Sequence, residues 1–350
     1  MAGTLRVSHM VEGAHAAGQG VTGGTSALDL GPANGDGEDG PYVVTGGWDA
    51  SVRRWRGERR EASVGTGAWV YDVRIVESNE EGAPSAVAVA VTGGMFPDEL
   101  ALLRVLRLTD AASGVPLAPP DGQENATGGC VRVLKHHRRG VHGLDTNGSG
   151  MLASASKDAV CLWNIADAIS QSDEPLAPTW HAPLEDEVAA VCMLPEGDGG
   201  VGVALRNMGC VQMYDTTSGA SARMLKPRSG QARGADAVRA LGPVIAVACD
   251  KAVCVFDTRV PEPVSRVPAH DAGGGATAVA SAGPLHLVTG GADGGVALWD
   301  MRTFRSVSSS PSPAGAGAVS CARALPAPGV GAAAAAVGHV GGGVVVYALA

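Results

Sequence analysis

A chain of 350 residues, 45% of them hydrophobic and 17% charged, can bury a large core and carries too little charge for a disordered or long solvated-helical protein. Its net charge of −9, spread along the chain, argues against nucleic acid as the main partner. Seven cysteines without a Cys-x-x-Cys pair supply neither a disulfide framework nor a zinc site, and 51 Gly and 21 Pro recur between short apolar runs, as many short strands joined by tight turns require.

In chain order, Thr4-Leu-Arg-Val-Ser-His-Met10 reads as an opening strand, without the apolar core or small-residue cleavage site of a signal peptide. Val43-Val-Thr-Gly-Gly-Trp-Asp49-Ala-Ser-Val-Arg-Arg-Trp55 then combines a small-residue strand, an Asp-bearing turn and an alternating strand ending in Trp. That combination is a hairpin signal. The same unit returns at Leu152-Ala-Ser-Ala-Ser-Lys-Asp158-Ala-Val-Cys-Leu-Trp163 and at Leu287-Val-Thr-Gly-Gly-Ala-Asp293-Gly-Gly-Val-Ala-Leu-Trp299.

Weaker copies fill the gaps. One over 87–108 keeps Val-Thr-Gly-Gly but carries a longer turn, Met95-Phe-Pro-Asp-Glu. Another over 203–215 loses the turn Asp, and the copy over 244–257 keeps Asp250 and places Phe256 where Trp stood. The copy over 332–347 is diluted by Ala and Gly. Strand ends fall near 55, 108, 163, 214, 256, 299 and 347. A period of roughly 40 to 55 residues indicates an array of four-stranded sheets. Segments 31–41, 77–84, 111–129 and 308–317, rich in Gly, Ser and Pro, read as mobile loops hung on that array. The stretch 331–350 is nearly uncharged, but His339 and Gly341-Gly342-Gly343 interrupt it and Gly and Ala contribute little transfer energy, so no membrane span is expected. Cys161, Cys192, Cys254 and Cys321 sit in apolar stretches as small hydrophobes, which suits a reducing compartment, cytoplasmic or nuclear.

These repeats resemble the WD40-repeat family over essentially the whole chain. The resemblance implies an all-β fold: a single domain over 1–350, a seven-bladed WD40 β-propeller closed by the N-terminal strand. The final copy stops at Tyr347-Ala-Leu-Ala350 without an outer strand, which the opening strand would supply, leaving no sheet edge unpaired. Family resemblance also implies hydrogen-bonded sets: His137, Ser154, Asp158 and Trp163; His270, Thr289, Asp293 and Trp299; and His15, Thr45, Asp49 and Trp55. Buried imidazole, hydroxyl, carboxylate and indole groups are costly alone and satisfied together. Copies ending near 108, 214, 256 and 347 lack most of the set and must rely on apolar packing. A propeller offers a broad rigid surface. The expected function is therefore a non-enzymatic scaffold, monomeric as a ring, that joins other proteins in a complex without a cofactor.

Several local motifs have plain readings. Gly35-Asp-Gly37-Glu-Asp-Gly40 spells a dinucleotide fingerprint, but its acids repel phosphate and Pro41 leads into a strand, so it reads as a loop. His136, His137 and His142, with Asp145 the only nearby carboxylate, lack a recognised ligand spacing, and no metal is expected. His137 suits the blade set, and His136 and His142 read as exposed. A few WD40-like proteins are hydrolases, such as the methylesterase of diphthamide synthesis, but no nucleophile elbow, kinase set or His-Glu-x-x-His occurs and no catalytic residue is assigned. The cluster of Arg53, Arg54, Arg56, Arg59 and Arg60 and the cluster Lys135-His-His-Arg138-Arg139 read as solvated rims able to meet phosphate or acidic peptide. Top-face loops around Arg138, Arg139, His181, Glu185 and Asp271 are expected to carry function.

The sharpest signal is Phe256-Asp257-Thr258-Arg259 followed by Trp299-Asp300-Met301-Arg302. A doubled W-D-x-R resembles substrate receptors of cullin-RING ubiquitin ligases, in which the Arg contacts the ligase's large propeller adaptor; Phe256 departs from that pattern. Asp257, Arg259, Asp300, Arg302, Arg138 and Arg139 are therefore the partner-binding candidates. The alternative for the Asp-x-Arg pairs is a local salt bridge.

Overall fold

A computed structural model describes residues 5–15, 24–31, 41–76, 87–93, 102–108, 130–146, 150–169, 176–195, 199–226, 237–241, 243–249, 251–270, 274–283, 285–327 and 331–349. Strand β1 (Leu5–Val11) opens the chain. The first full repeat forms β2 (Thr25–Gly31), β3 (Tyr42–Gly47), β4 (Ser51–Arg56) and β5 (Arg59–Gly65), paired in that order. The next sheets repeat the order with β6 (Trp69–Val76), β7 (Val87–Gly93), β8 (Leu102–Arg107) and β9 (Cys130–Leu134), then β10 (Val141–Thr146), β11 (Met151–Ser156), β12 (Ala159–Asn164) and β13 (Trp180–Pro183). A one-turn helix, α1 (Ile165–Ile169), follows β12.

Further sheets comprise β14 (Val188–Met193), β15 (Gly200–Leu205), β16 (Cys210–Asp215) and β17 (Ser221–Leu225), and β18 (Ala237–Leu241), β19 (Val244–Cys249), β20 (Ala252–Asp257) and β21 (Pro263–Pro268). After β22 (Ala276–Ser281), β23 (His286–Gly291), β24 (Val296–Asp300) and β25 (Arg305–Ser310), the chain ends in β26 (Val319–Ala327), β27 (Gly331–His339) and β28 (Val344–Leu349). The last three pair in sequence, and β1 lies antiparallel beside β28, from Leu5 opposite Leu349 to Val11 opposite Val344. Together the sheets make an all-β propeller.

Middle strands are buried on both faces because each sheet is sandwiched between neighbours. Thus β3 and β15 are buried at every position, and their sequences are runs of small and apolar residues rather than alternating ones. Close approach demands the glycines: a Cβ on Gly46 would lie 2.3 Å from Val70 Cγ1, and one on Gly290 would lie 2.3 Å from Val319 Cγ1. Outer strands are wetter, as in β17, whose first three residues are exposed.

The first strand of each repeat contacts the first strand of the next, and β26 in turn packs on β2. Hydroxyls stitch some of these seams. Ser26 Oγ donates to Val70 O, Thr277 Oγ1 to Val319 O at 2.7 Å, and Ser320 Oγ to Thr25 O at 2.5 Å. These inner strands run in one direction, which defines an upper face where they begin and a lower face where they end. Turns between the second and third strands lie on the upper face, and those between the third and fourth on the lower.

Two expectations change. Ser308–Ser310 is not loop but the end of β25, because Ser308, Ser309 and Ser310 pair with Leu298, Ala297 and Val296. The basic cluster at 53–60 is not wholly a solvated rim: Arg54 is buried on Glu61 Oε2 at 3.0 Å, Arg56 meets Glu61 Oε1 at 3.0 Å and Arg53 meets Asp49 Oδ2 at 2.9 Å, leaving Arg59 and Arg60 exposed. The uncharged C-terminal stretch forms strands β27 and β28, and among the described residues no helix is long and apolar enough to cross a membrane. Residues 32–40, 77–84, 95–99 and 111–129, with Asp250 and Asp271, lie outside the described residues.

Among the described residues, Cys161, Cys192, Cys210, Cys249 and Cys254 are buried free thiols and Cys321 is a half-buried one. Burial pushes Cys192 up to about 12 and Cys321 up to about 11, so neither is a poised nucleophile.

Candidate functional site

The three sequence-predicted polar sets come together on the upper side of their sheets. In the first, Trp55 Nε1 donates to Thr45 Oγ1 at 2.9 Å, which lies 2.8 Å from His15 Nε2, and His15 Nδ1 lies 2.8 Å from Asp49 Oδ1. A neutral imidazole protonated on Nδ1 satisfies the whole chain: indole to hydroxyl, hydroxyl to Nε2, Nδ1–H to carboxylate. Burial lowers the His15 pKa against the pull of Asp49, in keeping with that neutral form. In the Asp293 set, Trp299 Nε1 donates to Thr289 Oγ1 at 2.9 Å, His270 Nε2 lies 3.0 Å from the same hydroxyl, and His270 Nδ1 lies 3.0 Å from Asp293 Oδ1.

The set around Ser154 departs from the expected pairing. Trp163 Nε1 donates to Ser154 Oγ at 2.9 Å and His137 Nε2 lies 2.7 Å from it, but His137 Nδ1 reaches Ser156 Oγ at 2.8 Å rather than Asp158. Ser156 passes the connection on to Asp158 Oδ1, whose Oδ2 accepts Arg138 N at 2.9 Å. Two local facts explain the relay. The loop between β11 and β12 has two residues, whereas that between β3 and β4 has three. In addition, Ser156 stands where the other sets have Gly47 or Gly291, and a Cβ on Gly47 would lie 2.2 Å from His15 Nδ1. Glycine permits the direct His–Asp contact, and serine replaces it with a hydroxyl bridge.

Burial also pushes His137 down to about 4, with Asp158 opposing and His136 reinforcing. A histidine depressed below its ordinary value of 6.5 binds protons more readily when the chain is unfolded. Its stabilising effect is present above that value and is lost as pH falls through the folded one. The urea midpoint is expected to drop between these limits, and to drop less steeply in His137→Asn; parallel pH profiles would remove His137 from this role.

On the lower face, Asp257 and Asp300 hold their arginines identically. Asp257 Oδ1 accepts Arg259 N at 2.9 Å and Nε at 2.8 Å, with Nη2 on Oδ2 at 2.5 Å. Asp300 accepts the same three donors of Arg302 at 2.8, 3.2 and 2.9 Å. These bonds hold both carboxyls down to about 2. The arginine side chains stay 78% and 64% exposed, on neighbouring sheets. At the same place in two earlier sheets the Asx cap occurs without arginine: Asp215 Oδ1 accepts Thr217 N at 3.0 Å in the turn before β17, and Asn164 Oδ1 accepts Ala166 N at 2.9 Å where α1 begins. The turn therefore needs the Asx residue and not the arginine. Exposed Val260 and Leu285 lie in adjoining loops of this face.

Arg138 and Arg139 are exposed on the upper face, opposite the Asp-x-Arg pair, so the six partner-binding candidates do not form one site. His181 and Glu185 are exposed near them. His136 is half-buried rather than exposed, its ring 4.6 Å from that of His181 and 6.4 Å from that of Trp163, while His142 is exposed as expected. Among the described residues no cluster of three metal-ligating side chains occurs.

The feature that motif reading missed lies at the waist of the central channel. Counting register from the second strand, one equivalent inner-strand position is occupied in turn by Asp29, Asp72, Asp145, Cys192, Arg239, Ala280 and Arg323. Each aspartate latches the following inner strand: Asp29 Oδ2 accepts Ile75 N at 2.8 Å, Asp72 Oδ2 accepts Leu144 N at 2.9 Å and Asp145 Oδ2 accepts Met193 N at 2.9 Å. Their remaining oxygens take Arg74, which reaches Asp72 at 2.5 Å and Asp145 at 3.2 Å, and Arg239, which reaches Asp145 at 2.5 Å. The signal in the sequence was a charged residue inside the first strand of five of the sheets.

No protein-family model matches this chain, and no curated protein is significantly similar to it.

Proposed function

We propose that the chain is a seven-bladed propeller of the WD40-repeat type, with β1 completing the last blade, and that it acts as a non-enzymatic scaffold docking partner proteins on its lower face. Seven four-stranded sheets, the pairing of β1 with β28 and the three His–hydroxyl–Trp sets support the fold reading. The docking reading rests on one observation. Arg259 and Arg302 stand exposed on matching turns of adjacent sheets, although the sibling turn after Asp215 keeps the same cap with threonine in that position. Each aspartate pre-orients its guanidinium, so little side-chain entropy remains to be lost when a carbonyl-rich or acidic surface meets it.

The doubling in neighbouring sheets favours a second, narrower reading, a substrate receptor of a cullin-RING ubiquitin ligase in the cytoplasm or nucleus. Both are tested by affinity capture of the tagged protein beside the Arg259→Ala, Arg302→Ala double variant. Loss of buried interface arginines commonly costs about 1–2 kcal/mol or more each, so a partner held here should fall roughly 10-fold or more in recovery. Folding stability should stay within about 0.5 kcal/mol, because the turns keep their Asx caps. A cullin adaptor present with wild type and lost from the variant selects the receptor reading. Identical partners with both forms would remove the lower-face arginines from docking.

A further inference from the structure

The channel waist is unevenly charged around the ring. Its three carboxylates occupy one arc, whereas Arg239, Ala280 and Arg323 follow one another on the other, with only a methyl between the two arginines. Arg74 reaches into the same layer from beside Asp72.

Arg323 is the least compensated of the three. Its nearest carboxylate oxygens lie at 3.8 Å on Asp29 and 3.6 Å on Asp72, beyond hydrogen-bond length. Those oxygens are already engaged: Asp29 Oδ1 accepts Leu30 N at 3.1 Å and Asp72 Oδ1 holds Arg74. Of the five guanidinium N–H groups, Nη1 donates to Ala322 O at 2.9 Å, and Nε is buried without a hydrogen-bond partner among the described residues. The side chain is only 13% exposed, so water does little to offset the deficit. Burial, together with the neighbouring Arg239 and Arg74, drives the Arg323 pKa down to about 9, the response of a cation short of negative charge.

A cavity of about 120 Å³ opens beside it on the upper side of the waist, lined in part by Tyr71, Asp72, Arg74, His142, Ser320 and Arg323. That is room for roughly four waters at about 30 Å³ each, the scale of one compact oxyanion. A second cavity, of about 260 Å³ below the waist, is lined by Asp145 and Arg239, which already pair with each other, and Arg323 does not line it.

We propose that the upper channel cavity is a binding site for a small free oxyanion of the phosphate class, gripped by the guanidinium fork of Arg323, with Arg74 beside it already held by Asp72 and Asp145. A planar fork matches two oxygens of such an ion, and the low exposure of Arg323 strengthens the contact. The inference is independent of lower-face docking, which uses other residues on the opposite face.

The test titrates purified full-length protein with inorganic phosphate at constant ionic strength, following the melting midpoint and, by calorimetry, the heat of binding. Potassium chloride provides the salt control, and acetate asks whether a carboxylate serves equally. Wild type should show a saturable rise in midpoint with phosphate, and Arg323→Gln should bind at least about 10-fold more weakly, the equivalent of about 1.4 kcal/mol. The Arg59→Ala, Arg60→Ala variant, altered only on the outer rim, should bind as wild type does. Absence of a saturable effect in wild type, unchanged affinity in Arg323→Gln, or loss of binding in the rim variant would each overturn the proposal. Should Arg323→Gln not fold, Arg323→Lys keeps the charge and loses the fork; equal phosphate affinity in that variant would overturn the proposal as well.

Discussion

Replacing Asp145 with alanine is expected to cost about 3–5 kcal/mol of folding stability, the usual penalty for removing one partner of a buried ion pair. The residue is only 5% exposed and its two oxygens do separate work. One accepts Met193 N across the seam between β10 and β14, and the other holds Arg74 and Arg239. Burial opposes ionisation of the carboxyl, yet Arg239 and Arg74 outweigh it and its pKa lies below the ordinary aspartate value. Alanine would leave the Met193 amide without its acceptor and two guanidiniums short of charge beside Arg323. Asparagine keeps an oxygen for the amide but not the charge, so Asp145→Asn should fall between alanine and wild type. The check is urea denaturation of all three at neutral pH, read as a lowered midpoint at unchanged slope. A loss below about 1 kcal/mol for the alanine variant would mean that the ring does not depend on this latch.

Removal of residues 1–11 is expected to cost a comparable amount, about 4 kcal/mol. Val11 is fully buried and Leu5 and Met10 are half-buried against the last sheet. Burial of such side chains contributes about 1.5–3 kcal/mol each when complete and less when partial. The deletion also strips β28 of its outer neighbour and presents an apolar edge, Val344-Val-Val-Tyr347, to other chains. Two readouts should move together: a lower melting midpoint, and self-association by sedimentation or light scattering. An unchanged midpoint with a monomeric truncated chain would sink the role given to β1.

Much of this architecture could be read directly from residues. The hairpins around Asp49, Asp158 and Asp293 were legible because Thr-Gly-Gly or Ser-Ala-Ser before a tight turn, and alternation into a Trp after it, are local demands of the backbone. The polar sets were legible through the resemblance to WD40 repeats, which implies that indole, hydroxyl and imidazole satisfy one another, although each histidine precedes its hydroxyl by a different span: 30, 17 and 19 residues. Even the Ser156 relay left a trace: Ser154 and Trp163 lie nine residues apart, whereas Thr45–Trp55 and Thr289–Trp299 lie ten apart.

Other features depended on contacts between residues remote in sequence. Ser308–Ser310 looked like a loop because an outer strand has no packing face to impress a pattern on it, and only pairing with β24 makes it a strand. The basic run at 53–60 looked uniformly solvated, but the placement of Glu61 across from Arg54 and Arg56 draws half of it inward. The arginines after Asp257 and Asp300 gained meaning only beside Asp215, whose turn shows what the cap alone requires. The channel charges were the least visible. Asp29, Asp72, Asp145, Arg239 and Arg323 are scattered over nearly 300 residues, and each alone is an oddity in an apolar strand. Local sequence determined the strands and turns, because those follow from side-chain period and backbone preference. Circular stacking of the sheets decided which charges meet, because only the tertiary fold brings the inner strands side by side.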